Sequence, residues 1–447
     1  MKLVPDPGTS REILKLASPA VAGLSAQMIL TVVDAAMVGR LDEVALAAMG
    51  VGFLAVWVVT SFFSNLGVGT QTLVSRRQGE GNYVEAGVTL NNSLVMSLLI
   101  GTVLGFLGWH FSYEIAYPFA SNSLVAAEAA DYLRWRFIGL PFFLVMVSYR
   151  GFFFGVGNTR IFMYSAIIIN VLNIILNYLL IFGHAGFPRL ELTGSAVATT
   201  IATFVGTAIF FLTSFNRAFR IGYRLFHRVK IDSAIIRNIF RISLPVSFQY
   251  LFTLLGFLFF LAIIGRFGTM EQAATQVVIT AILIGFLPSQ GFGIAAATLV
   301  GQNLGNGNTH NAERYGIESA RLGFYFMFVV GIIFLLFPDA VLYVITNNKP
   351  VIETARTPLR IVGAVQAFYA VGIILASALQ GAGATIFVMF TEIFLNWGIF
   401  LPLAYVFGVV LDGGMVGAWL SLPVYLFLYA SIMIWRFKRG AWKRVQV

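Results

Sequence analysis

The sequence contains no cysteine, so no disulfide and no thiolate metal site contributes to its fold. Charge is also scarce. Asp, Glu, Lys and Arg make up 11% of the residues, where a soluble protein carries about 25%. The four histidines, His110, His184, His227 and His310, are far apart, and no nucleophile–base or metal-ligand spacing surrounds them. No Walker motif occurs, which excludes ATP hydrolysis within these residues. No cleavable signal peptide is read, because the first apolar run is too long and no small-residue cleavage site follows it. These absences argue against an enzyme. What the chain has in quantity is apolar length: 58% of its 447 residues are hydrophobic and the mean hydropathy is +0.85. The expectation is an all-α polytopic membrane protein.

Twelve apolar runs are long enough to cross a bilayer. They fall at roughly 14–38, 44–69, 87–111, 135–156, 161–182 and 192–215, then at 238–264, 273–299, 317–345, 359–381, 384–408 and 414–435. An even number places both termini on one side. Of the 29 Lys and Arg, 20 lie in the N-terminal segment, the linkers after even-numbered runs and the tail; 8 lie in the opposite loops and Arg150 lies within a run. The positive-inside rule then makes both termini cytoplasmic, as expected in a prokaryotic inner membrane. The net charge of +10 therefore reads as basic faces against anionic lipid headgroups rather than a nucleic-acid surface. The most basic linker, with Arg217, Arg220, Arg224, Arg228, Lys230, Arg237 and Arg241, joins an N-lobe at 1–215 to a C-lobe at 242–447 through residues 216–241.

The second half repeats the first. A single shift of 226 places Arg11 on Arg237, Pro19 on Pro245, Gly39 on Gly265 and Arg40 on Arg266. The same shift matches Gly79, Gly81 and Asn82 to Gly305, Gly307 and Asn308, and Gly155, Gly157, Thr159 and Asn170 to Gly381, Gly383, Thr385 and Asn396. Each half holds six runs, so the halves share one topology and are related by a pseudo-two-fold axis along the membrane normal. Two lobes around a cleft suit a carrier that alternates between inward and outward openings. Asn170 and Asn396, common to both halves, are expected to bind backbone between helices.

Positions that break the repeat are the candidates for function. Asp34 falls on Phe260, Asn173 on Ile399 and Asn177 on Leu403. A carboxylate in a membrane helix costs roughly 2.5–3.5 kcal/mol on insertion scales and needs a partner, a proton or water. Asp34 lies four residues below Val38, roughly 6 Å at 1.5 Å per residue. Asn173 and Asn177 share one helix face, and with Thr199 they fall at a similar depth. These four groups suit a proton or a hard cation such as sodium; helix–helix adhesion is the alternative for the asparagines and threonine. Glu392 and Arg150 are the other charges at membrane depth, read as substrate or gate residues or as structural ones. The many aromatic rings offer faces to organic cations.

The stretches SPAVAGLSAQMILTVVDAAMVGRL, NVLNIILNYLLIFG and GSAVATT, together with the six-plus-six repeat, make the chain similar to the multidrug and toxic compound extrusion (MATE) transporters, within them the DinF-like branch. The resemblance covers essentially the whole chain. It implies cation-driven export of organic cations or amphiphilic drugs through a V-shaped cavity; a monomer among membrane lipids is the expectation, on which the sequence itself is silent. It also implies a first helix that bends at Pro19 when Asp34 changes protonation, and a first-lobe site of Asp34, Asn173, Asn177 and Thr199. The branch commonly has Asp where this chain has Asn177. One carboxylate fewer weakens sodium binding more than proton binding, so proton coupling without any cofactor is the expectation. The NorM-like branch carries a carboxylate in the seventh span, at the position of Thr253 here. A lipid-linked oligosaccharide flippase of related fold is the alternative, and the scarcity of cations within spans speaks against it. A channel is disfavoured by the repeat and by the lack of a re-entrant filter sequence.

Overall fold

The computed structural model describes residues 6–227 and 230–446, with Ile284 described by its backbone alone. All regular structure among the described residues is helical. Among the described residues eleven helices are long and apolar enough to span a membrane: Pro7–Val38, Glu43–Gly79, Tyr83–His110, Thr159–Phe182, Glu191–Ser214, Ser233–Ile264, Thr269–Gly305, Thr309–Leu336, Lys349–Gly381, Thr385–Val410 and Gly414–Arg439. A bent pair, Ser123–Ile138 and Leu140–Gly155, adds the twelfth at the fourth position in the chain. They are called the first to twelfth helices below. The fourth starts earlier than its apolar run and turns by 44° at Gly139. Pro141 explains the break, because it has no N–H to continue the ladder.

The repeat is visible in the backbone. Asn82 and Asn308 cap the third and ninth helices with nearly the same dihedrals, φ −89° and −90°, each side chain accepting from a backbone N–H three residues on. Gly81 and Gly307 before them sit at φ 73° and 71°, and Gly157 and Gly383 at 83° and 88°. A Cβ is strained in that left-handed region. Short helices Ser112–Ala116 and Pro338–Ile345 follow the third and ninth helices at the same offset. The contacts divide the chain into two compact units, Ala22–Ser247 and Met1–Val21 with Phe248–Val447. The two cuts, after Val21 and after Ser247, are themselves 226 residues apart.

The first unit is held by polar contacts as well as apolar ones. Thr70, Ser93, Ser97 and Ser148, all fully buried, form a hydroxyl chain with links of 2.6–2.8 Å across the second, third and fourth helices. Neutral links of this kind suit helix contacts in lipid, where apolar burial alone gives little preference for one neighbour over another. Asn92 holds the basic linker by donating to the Lys230 carbonyl at 3.0 Å and accepting from the Asp232 N–H at 2.7 Å. Arg228 of that linker lies outside the described residues. In the second unit, Ile13, Leu16 and Ala17 pack with Phe292, Leu299 and Phe437 in one apolar cluster, and Phe260, Phe400 and Trp419 anchor another. Asn170 and Asn396 accept no backbone N–H: both amide oxygens are buried without a hydrogen-bond partner.

Candidate functional site

The fifth helix buries Ala166, Asn170, Asn173, Asn177 and Leu180 along one stripe, the i, i+3, i+4, i+7 spacing of a helix face. Asn173 and Asn177 are both 0% exposed. Buried amides need partners, and the first and sixth helices bring them. Asn177 Nδ2 donates to Asp34 Oδ1 at 2.6 Å and to Asn173 Oδ1 at 2.9 Å. Asn173 Nδ2 lies 3.2 Å from Thr199 Oγ1. A half-turn of the Asn173 amide instead sets its nitrogen 3.0 Å from Asp34 Oδ1 and its oxygen 3.2 Å from the Thr199 hydroxyl. The structure thus joins all four residues singled out in the sequence in one hydrogen-bonded group, with Asp34 and Thr199 half-buried.

Two local features bring the sixth helix close. Gly194 packs against the fifth helix so tightly that a Cβ there would meet the Leu180 carbonyl at 2.6 Å. Thr200 and Thr207 donate to the Trp135 and Phe142 carbonyls of the fourth helix at 2.7 and 2.8 Å, on either side of its bend. Thr199 itself donates to the Ser195 carbonyl at 2.9 Å, which leaves its oxygen lone pairs toward Asn173.

Sequence reasoning missed Arg136. It stands beyond ion-pair distance from Asp34, yet near enough for its charge to act on that carboxylate. Its Nε is buried without a hydrogen-bond partner. The buried Tyr132 shares the same surroundings. Arg136 opens an apolar run, so its charge reads as part of a loop; only the early start of the fourth helix at Ser123 shows it inside one.

Glu392 and Arg150 fall in different units. Arg150 lies over the Phe162 ring at 5.8 Å and lines a cavity of about 10 Å³ with Gln27, Ser165 and Ala166, room for one water. Glu392 accepts from Gln249, Thr253 and Tyr429. Thr253 on the seventh helix therefore reaches a carboxylate that comes from the eleventh.

A family model described as MatE matches the chain twice, over residues 19–179 and 245–406. The second match begins 226 residues after the first, so the model finds the same repeat. A Thermotoga maritima protein named "Probable multidrug resistance protein NorM" is 28% identical over 98% of this chain and 94% of its own length. A Bacillus subtilis protein named "Probable multidrug resistance protein YoeA" is 24% identical over 92% of this chain and 89% of its own. Among solved structures, one described as MATE in the straight conformation superposes with a TM-score of 0.90 at 21% identity, covering 98% of this chain and 97% of that one. At that identity the likeness concerns the fold.

Proposed function

The chain belongs to the MATE family, whose members are membrane transporters rather than enzymes, and on that footing we propose that it exports organic cations and amphiphilic drugs in exchange for protons taken up at Asp34. The names of its relatives support multidrug efflux. The observation that carries the choice of ion is the amide of Asn177. Its nitrogen donates to Asp34 at 2.6 Å while its own oxygen is buried with no partner. An ionised carboxylate accepts only, whereas a protonated one also donates. A half-turn of the Asn177 amide offers its oxygen to the protonated acid, so one side chain serves both states. Aspartate at 177 could not offer the N–H. A sodium ion would need several oxygens turned inward together, and here an amide nitrogen faces Asp34.

The cycle follows from this. Outside, Asp34 takes a proton and its acceptor geometry toward Asn177 is lost. The first helix, with Pro19 lacking an N–H in its interior, bends more easily there than an unbroken helix. The organic cation leaves, and the proton is released on the cytoplasmic side. Exchange of one proton for one singly charged cation moves no net charge, so the membrane potential adds nothing and the pH difference drives the cycle, at about 1.4 kcal/mol per pH unit. Both termini are cytoplasmic in this reading, in a prokaryotic inner membrane.

The test is efflux of a fluorescent organic cation from vesicles of the purified protein under either a pH gradient or a sodium gradient. Efflux driven by the pH gradient alone is the expected result. Efflux driven by sodium alone would overturn the choice of ion, and no efflux under either would overturn the transport reading.

A further inference from the structure

A second polar cluster occupies the unit of Met1–Val21 and Phe248–Val447, and the proton cycle at Asp34 does not use it. Its centre is Glu392, half-buried on the eleventh helix. Oε2 accepts from Gln249 Nε2 at 2.5 Å and from the Tyr429 hydroxyl at 3.3 Å. Oε1 accepts from the Thr253 hydroxyl at 3.0 Å, sharing that proton with the Gln249 carbonyl at 2.9 Å. Gln380 Nε2 donates to Gln249 Oε1 at 3.1 Å, which keeps the other end of that amide turned to the carboxylate. Tyr369 and Tyr425 stand within reach of the charge on Glu392. Tyr425 stacks on Tyr429 with ring centroids 6.0 Å apart, and Phe286 on Tyr369 at 6.4 Å.

Two observations set this cluster apart from a structural fixture. An intramembrane carboxylate that only holds helices together is usually matched by a cation. Elsewhere in the same unit Glu318 has such a cation, Arg321, at 2.7 Å one turn along its own helix. The partners of Glu392 among the described residues are all neutral. An ionised carboxylate offers about four acceptor positions; three are filled, and the open one is on Oε1 beside Thr253. The second observation is the helix itself. One turn past Glu392 it widens into a π-turn over Asn396–Phe400, where the Leu401 N–H bonds to the Asn396 carbonyl. Pro402, with no N–H, follows at once. Such turns are found most often at functional sites.

We propose that this cluster binds the head of a protonated tertiary amine, whose single N–H fills the open position on Glu392 Oε1 while its alkyl arms meet the rings of Tyr369 and Tyr425. The proposal rests on the export of organic cations and specifies which cations fit. A quaternary ammonium carries no N–H for the open position. A primary ammonium brings three, and two would be left without acceptors.

The experiment measures equilibrium binding to the purified full chain at fixed pH and without any gradient, so the driving ion does not enter. The probes are an arylalkyl dimethylamine, its N-methylated quaternary analogue and the matching primary amine. The tertiary amine should bind roughly tenfold more tightly than the quaternary ion, and Glu392→Gln should weaken it roughly 10- to 100-fold, as expected for a lost charge-assisted hydrogen bond. Thr253→Val keeps the carboxylate and clears a second position on Oε1, so the primary amine should gain on the tertiary one. That variant decides the matter if Glu392→Gln does not fold. Equal binding of the tertiary and quaternary ions by the parent, parent-like binding by Glu392→Gln, or an unchanged preference in Thr253→Val overturns the site and leaves the efflux reading standing. No binding of any probe by the parent overturns both.

Discussion

Where the first unit places Asp34, Asn173 and Asn177, the second places Phe260, Ile399 and Leu403 at the same positions of the repeat. The surroundings match this difference. Asp34 accepts a hydrogen bond at 2.6 Å, whereas Phe260 is 1% exposed and packs edge-on against Trp419 at 5.2 Å and beside Phe400 at 5.0 Å. The helix ends are alike in both halves, down to the capping asparagines and the left-handed glycines. Turns tolerate few residues, because only certain side chains fit their dihedrals or can cap a helix. The helix interior accepts any side chain that satisfies its neighbours, so the chemistry of the two halves can part there. Each unit carries a carboxylate with neutral hydrogen-bond partners, and the two are not equivalent: Glu392 falls on Ala166 of the first half.

Four substitutions would break or sharpen this contrast. The largest effect is expected from Asp34→Asn, which should reduce gradient-driven efflux to the level of empty vesicles while leaving the folded fraction near that of the parent. Next comes its counterpart, Phe260→Ala. It opens a cavity beside Trp419 and should cost about 3–5 kcal/mol, read as a lowered thermal midpoint in detergent. If Phe260→Ala were the better folded of the two, the assignment of chemistry to Asp34 and packing to Phe260 would fail. Asn177→Asp tests the middle of the contrast. A second carboxylate beside Asp34 should make efflux respond to sodium, and a variant that stays indifferent to sodium would contradict the role given to the amide.

The smallest effect belongs to the caps that open the first and seventh helices, Asp6 and Asp232, also 226 residues apart. Asp6 accepts from the Thr9 hydroxyl at 2.7 Å and the Thr9 N–H at 3.0 Å, and Arg314 lies 2.9 Å away. These donors hold its carboxyl below the usual carboxylate range. A depressed pKa stabilises the folded state above the unfolded value and loses that contribution as pH falls through the folded value. Asp6→Asn should therefore lower the thermal midpoint slightly at neutral pH and converge with the parent in acid.

Much of this was legible in the sequence. Hydropathy fixes twelve spans because lipid leaves the backbone little choice but helix, and the 226-residue shift reveals the two halves. Asp34, Asn173, Asn177 and Thr199 could be grouped because a break in the repeat and a shared depth are both sequence properties. The rest depends on contacts that no local pattern encodes. Gln249, Thr253 and Tyr429 reach Glu392 from two other helices, up to 143 residues away in sequence, and Gln380 reaches Gln249 from a third. Pro402 follows the π-turn at Asn396 and Pro141 follows the bend at Gly139, yet Pro19, Pro245 and Pro288 lie within helices that remain continuous. Whether a proline breaks a helix depends on its neighbours.

The most direct test of exchange at Asp34 is proton release on binding. Purified protein in weak buffer, near the pH where Asp34 is half protonated, is mixed with a permanently charged organic cation and the pH change is recorded. The account predicts that protons are released as the cation binds, and that Asp34→Asn releases none. Binding without release in the parent, or the same release from Asp34→Asn, would contradict it.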